Sequence, residues 1–410
     1  MMDQNGTVHR YEYDSLGRMT ADGVVQFGAG VDDTVKRIET SYEVRGMVQK
    51  VTSFSDASGG AGNILNELVS QYDGLGKITT FAQDHSGAVD EYSPSVGYTY
   101  SAGNRLTRVD SVAAAASQDF DELYRYDDMN RLVSLERGDY DSSSDEIETG
   151  TFAETWDLDA LGNWEPYRYD SNADGTVDVT QNRVHNRANE ITSIDSSTTH
   201  VAHDAAGNMT KLPQPGDWND DYALTFDAWN RLVKVEDGAN TVAEYAYANG
   251  NTTSKATERN GSLTDQVLYN WNYENRLTDV DNDADGTFEI ENHYNADGIR
   301  TAQTSDGEET RFLIDSNRPY AQVLKEYTPG GIIKVSYVHG LDLISQNRPA
   351  ETGKSFYHVD GLGSTRALTN GSGLVTDTYI YDAFGRTIGQ VGSTGNVNGT
   401  CASVSHYMAN

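Results

Sequence analysis

The chain has 410 residues, with 30 Lys+Arg against 63 Asp+Glu and a formal net charge of −33. A field of that sign repels a phosphate backbone, which excludes nucleic-acid binding by phosphate neutralisation. The single cysteine, Cys401, excludes a disulfide framework and a cysteine-based zinc site. Hydrophobic residues reach only 37%, but 25 tyrosines argue for a folded chain over a disordered acidic one. No run of 18 apolar residues provides a transmembrane helix, and Met1–Gly6 shows no signal-peptide pattern.

From the N-terminus onward one phrase returns: an aromatic residue, Asp, two variable residues, Gly or Asn, then Arg. Its best copies are Tyr13-Asp14-Ser15-Leu16-Gly17-Arg18, Tyr126-Asp127-Asp128-Met129-Asn130-Arg131, Phe226-Asp227-Ala228-Trp229-Asn230-Arg231 and Tyr381-Asp382-Ala383-Phe384-Gly385-Arg386. Weaker copies centre on Glu43, Asp73, Ser101, Asp159, Asn186, Asp204, Ala248, Asn272, Asn295 and Asp360. From Asn186 to Asn295 the steps are 18, 23, 21, 24 and 23 residues, the spacing of a repeat array.

Asp at the start of a type I turn accepts hydrogen bonds from the turn's own backbone, and Gly or Asn three residues later accepts a positive φ. The pairs Asp14 and Gly17, Asp73 and Gly76, Asp127 and Asn130, Asp227 and Asn230, Asp360 and Gly363, and Asp382 and Gly385 are therefore structural turn residues. Tyr, Val, Ile and Thr at period two on either side are strand signals. The expectation is an all-β fold, an array of antiparallel hairpins pairing into one continuous sheet over residues 1–392, with an unpatterned tail at 393–410. Val112–Ala116 and Asn63–Val69 carry enough helix formers for a turn or two each. Ser55–Gly62, Asp139–Gly150 and Pro213–Asp220 read as loop-like insertions. An open array exposes strand edges, so self-association is expected of the isolated chain.

The tyrosine–aspartate phrase resembles the YD-repeat or Rhs-repeat family, which includes bacterial polymorphic toxins, insecticidal toxin-complex subunits and teneurins. The most specific stretch, Tyr357-His358-Val359-Asp360-Gly361-Leu362-Gly363-Ser364-Thr365-Arg366 and on to Gly385, is similar to the start of the Rhs repeat-associated core (residues 357–392). The resemblance implies a strip of hairpins that spirals into a hollow β-shell around a C-terminal toxic domain. The partner it implies is that toxin domain or another enclosed polypeptide, with cell-surface glycans as the partner of an adhesion-type alternative. It implies a secreted or cell-surface location. The family's self-cleaving aspartate segment finds no match here, and both ends of the chain look cut.

Two acidic loops have oxygen ligands spaced as in a calcium loop, with Gly at the sixth position. They are Asp170, Asn172, Asp174 and Asp178, and Asp281, Asp283, Asp285 and Glu289. The twelfth position holds Gln181 or Asn292, so the bidentate acid is missing, and a plain polar hairpin turn is the competing reading. No other cofactor is expected. His200 and His203 face opposite sides of a strand, which argues against a metal pair. No nucleophile elbow, phosphate loop or paired-acid signature points to an enzyme. Tyr124/Tyr126, Tyr245/Tyr247 and Tyr379/Tyr381 recur at one repeat position, so they read as cross-strand packing more than as a glycan surface. The repeated Arg18, Arg131, Arg231, Arg276 and Arg386 read as partners of nearby carboxylates.

Overall fold

The computed structural model describes residues 2, 6–28, 33–58, 63–101, 103–111, 120–214, 217–259, 262–316, 320–340, 343–351, 353–382 and 385–392. They build an all-β architecture of two antiparallel sheets, with 14 and 18 strands, in which spatial order follows chain order. The first sheet runs from β1 (Val8–Tyr13) to β14 (Ile191–Ile194), and the second from β15 (Ala202–His203) to β32 (Thr387–Gly392).

The expected single sheet is thus divided. After β14 the backbone turns through Asp195 and Ser196, both at positive φ, and the Ser197 N–H donates to Ile194 O. Backbone groups next to β14 are spent inside that turn, so the ladder stops there. Asp139–Gly150 is not an insertion: β10 (Leu132–Asp141) and β11 (Glu146–Leu158) pair almost to their shared turn. Pro213–Asp220 likewise falls largely in β16 (Met209–Gln214) and β17 (Asp217–Phe226). Asn63–Val69 is not helical, since β5 (Ile64–Tyr72) is laddered on both sides, and two sets of inter-strand bonds override local helix propensity. Val112–Ala116, Cys401 and the tail lie outside the described residues.

The turn phrase builds each hairpin. In the Asp127 turn, Asp127 Oδ1 accepts the N–H groups of Met129 and Arg131 at 2.9 Å each, while Arg131 Nε donates to Oδ2 at 2.7 Å. The Asn130 N–H closes the turn on Asp127 O at 2.9 Å, with Asn130 at φ 61°. Gly17, Gly76, Asn230, Gly363 and Gly385 donate to the carbonyls of Asp14, Asp73, Asp227, Asp360 and Asp382 in the same way, all at positive φ.

The same residues also join one hairpin to the next. The tyrosine before a turn donates its hydroxyl to the first strand residue after the preceding turn: Tyr42 to Met19 O at 2.8 Å, Tyr247 to Leu232 O at 2.7 Å, Tyr294 to Leu277 O at 2.8 Å and Tyr381 to Thr365 O at 2.9 Å. Over these rings lie cations of the preceding repeat. Arg18 stands 4.4 Å from the Tyr42 centroid, Arg231 4.6 Å from Tyr247 and Arg366 5.0 Å from Tyr381. Arg18 and Arg231 thus each grip their own turn and the ring of the next repeat, which is what an aromatic at the start of the phrase and Arg at its end provide.

Apolar burial is gathered in small clusters, Leu135 with Phe152 and Trp156, and Tyr357 with Leu368 and Tyr379. The first sheet packs against the far end of the second. The Gly361 N–H donates to the Tyr98 hydroxyl oxygen at 2.7 Å, and His85 Nε2 meets Tyr357 O at 3.1 Å.

Candidate functional site: acidic loops and a buried charge cluster

The two acidic loops share one scaffold. Each spans eight residues, one between β12 (Trp164–Asp170) and β13 (Val179–His185), the other between β22 (Leu277–Asp281) and β23 (Ile290–Tyr294). The Gly175 and Gly286 N–H groups donate to Asp170 Oδ2 and Asp281 Oδ2, both at 2.9 Å. Thr176 and Thr287 donate to Asp174 Oδ1 and Asp285 Oδ1, both at 2.7 Å. The YD turns join odd-numbered to even-numbered strands, whereas both acidic loops join even to odd. In an antiparallel sheet they therefore lie on the opposite rim.

The N–H after the first Asp also reaches the ninth residue in both, Ser171 to Asp178 Oδ2 and Asn282 to Glu289 Oε2, and the side chains part company from there. In the first loop Asp178 Oδ2 accepts the N–H of Ser171 at 2.7 Å and its hydroxyl at 2.6 Å, which lowers the Asp178 pKa. Asp174 Oδ2 accepts from the Asn172 amide at 3.2 Å, and Asp170 Oδ1 accepts the Asn172 N–H at 3.3 Å. In the second loop the carboxylates of Asp281, Asp283, Asp285 and Glu289 converge, with one oxygen from each within 4.8 Å of the others. Among the described residues this is the one such carboxylate group. At the twelfth position Gln181 Oε1 is engaged by Arg183, and Asn292 Oδ1 by Arg300 and Gln303. His200 Nδ1 pairs with Asp221 Oδ2 at 2.7 Å.

Sequence reading missed a buried charge cluster between the sheets. Glu122, on β9 (Asp121–Tyr126), is 3% exposed. Its Oε2 accepts from Arg108 Nε at 2.9 Å and from the Tyr124 hydroxyl, and its Oε1 from Arg137 Nη2 at 3.0 Å. Arg366 Nη1 stands 3.9 Å from the same Oε1 while its Nε donates to Asp360 Oδ2 at 2.8 Å. Arg108 Nη1 donates to Asp110 Oδ2 at 2.8 Å. Three guanidiniums, of Arg108, Arg137 and Arg366, thus face three carboxylates, of Asp110, Glu122 and Asp360. Burial opposes ionisation of Glu122, but Arg108, then Arg366 and Arg137, outweigh it and hold the carboxyl well below its ordinary range. A carboxylate pinned in this way is a poor proton donor or acceptor near neutrality, and the cluster works as a brace. Glu122 and its neighbour Leu123 are both buried, so this strand is covered on both faces, a fact its sequence Asp-Glu-Leu-Tyr-Arg-Tyr does not announce.

Fold and site together define an acidic, all-β repeat scaffold with one converged carboxylate loop. No family model matches the chain. Over 161 residues it is 27% identical to the tRNA(Glu)-specific nuclease WapA of Bacillus subtilis subsp. natto (strain BEST195), covering 39% of this chain and 6% of that protein. Over 193 residues it is 28% identical to the tRNA3(Ser)-specific nuclease WapA of Bacillus spizizenii, covering 47% of this chain and 8% of that protein. Among solved structures, a crystal structure of TcdB2-TccC3-TEV aligns with 94% of this chain and 20% of its own, at TM-score 0.46 and 13% identity. The Photorhabdus luminescens Tc holotoxin pore aligns with the same shares at TM-score 0.44 and 14% identity. The chain spans less than a tenth of the curated relatives and about a fifth of the solved chains.

Proposed function

We propose that this chain is a non-enzymatic segment of an Rhs/YD-repeat shell, which encloses or presents a C-terminal toxin in bacterial competition outside the producing cell. The observation that carries this reading is the repeat-to-repeat interlock. Turn aspartate, arginine, the next tyrosine ring and the preceding strand carbonyl form a unit that extends by adding copies, as a wall does. The partial matches to proteins named as tRNA nucleases support a place beside a toxin. The cargo, its chemistry and the secretion route belong to the same proposal.

The test is the mass and composition of the native protein captured from its source cells. The expected result is a polypeptide well above 44.9 kDa, or this array tightly holding a second polypeptide that is released only on denaturation. A species of 44.9 kDa that holds no other polypeptide overturns the reading, and glycan-array binding would then test an adhesion module.

A further inference from the structure

We propose that the loop from Asp281 to Glu289 is a calcium site, formed by the convergence of the Asp281, Asp283, Asp285 and Glu289 carboxylates on the rim opposite the YD turns. Four carboxylates with oxygens inside 4.8 Å repel one another unless a cation or protons intervene. Among the described residues no Lys, Arg or His forms an ion pair with any of the four. Asp281 is 1% exposed, and its Oδ1 is buried without a hydrogen-bond partner while Oδ2 takes the Gly286 N–H. A buried carboxylate oxygen left in that condition is costly, and a bound cation is the partner that fits it.

The donors choose the ion. All are hard oxygens, which suit calcium or magnesium over softer transition metals. An exposed eight-residue loop tolerates calcium's variable coordination better than the strict octahedron of magnesium. With Asn292 at the twelfth position engaged elsewhere, the site lacks its bidentate acid, so the dissociation constant should fall near that of extracellular modules, about 10⁻⁴–10⁻³ M. The sister loop is a built-in control. Asn172 stands where the site has Asp283, and the Ser171 hydroxyl adds a second bond to Asp178 where Asn282 gives Glu289 its N–H alone.

The experiment is calorimetric titration of CaCl2 into the full chain after removal of metal by a chelator. One site per chain is expected. The variant Asp283→Asn/Asp285→Asn, both exposed positions, should weaken it at least about tenfold while keeping the wild-type circular dichroism spectrum. Asp174→Asn in the sister loop should leave the titration unchanged. Calcium should also raise the melting temperature of the wild type and not of the double variant. Absence of binding at about 10 mM calcium overturns the proposal. So does binding that survives the double variant, or magnesium binding as tight as calcium.

Discussion

Tyr98 and Gly361 lie 263 positions apart, and the Gly361 N–H donates to the tyrosine hydroxyl oxygen at 2.7 Å. A Cβ at position 361 would stand 3.1 Å from the tyrosine ring, so glycine is what lets the backbone come this close. This is one of the few points where the first sheet holds the far end of the second. Tyr98→Phe removes the acceptor and leaves a part-buried N–H unpaired, which should cost about 1–3 kcal/mol. Urea unfolding of the two proteins measures it, and an unchanged midpoint would show that water replaces the hydroxyl at no cost.

Glu122 is the hub of the inter-sheet brace. Glu122→Gln leaves three guanidiniums short of a charge and should destabilise by about 3–5 kcal/mol. The double variant Arg108→Met/Glu122→Leu, which removes both partners, should cost less than either single change. Because the folded pKa of Glu122 is depressed, its contribution is complete above the unfolded value near 4.5 and is lost as pH falls from there toward the folded value. Acid titration should show that loss in the wild type and not in Glu122→Gln.

His85 and His358 titrate in another window. Their rings meet edge-on at 4.9 Å, and burial lowers them to about 3 and about 4, with His358 also disfavouring charge on His85 and Asp110 opposing the shift of His358. Folded values below unfolded ones mean stability present above pH about 6.5 and lost as pH falls through about 4. Each histidine should contribute a slope of about 1.4 kcal/mol per pH unit inside that window. His85→Gln should remove about one such slope, as followed by denaturant midpoints between pH 7 and 4. Equal slopes in the two proteins would place His85 in water.

The ring-and-cation joint predicts energetic coupling between neighbouring hairpins. Arg231→Ala and Tyr247→Leu remove the two sides of one contact, the guanidinium 4.6 Å from the ring, and Tyr247→Phe serves as the control that loses only the hydroxyl on Leu232 O. A double-mutant cycle in thermal unfolding should give a coupling of about 0.5–1 kcal/mol. Strict additivity would mean that the ring and the arginine act separately.

What sequence reading could and could not reach follows from the range of each interaction. Asp127, Asn130 and Arg131 are legible because their bonds close within one turn. The contact of Arg18 with Tyr42 is not, because it depends on how two hairpins align. The end of the first sheet turns on the backbone of Asp195 and Ser196, ordinary residues whose positive φ no pattern announces. Asn63–Val69 reads as a turn or two of helix because its leucines and glutamate say nothing of the ladders on both sides. Glu122 was one acid among many; only the meeting of the two sheets sets it among Arg108, Arg137 and Arg366. The two acidic loops looked alike, and only their side-chain geometry separates them: the carboxylates of the second converge, while in the first Ser171 and Asn172 hold Asp178 and Asp174.

The tyrosine–carbonyl joint points backward along the chain: Tyr42 reaches Met19, Tyr247 reaches Leu232, Tyr381 reaches Thr365. A hairpin leaving the ribosome therefore finds its docking surface already made, and nothing yet unsynthesised is needed to lock it. Such joints are local steps of low contact order, and what must wait is the long-range closure between the sheets, where Tyr98 meets Gly361, His85 meets Tyr357 and Glu122 meets Arg366. The direction of synthesis is written into which residue carries the hydroxyl and which the carbonyl.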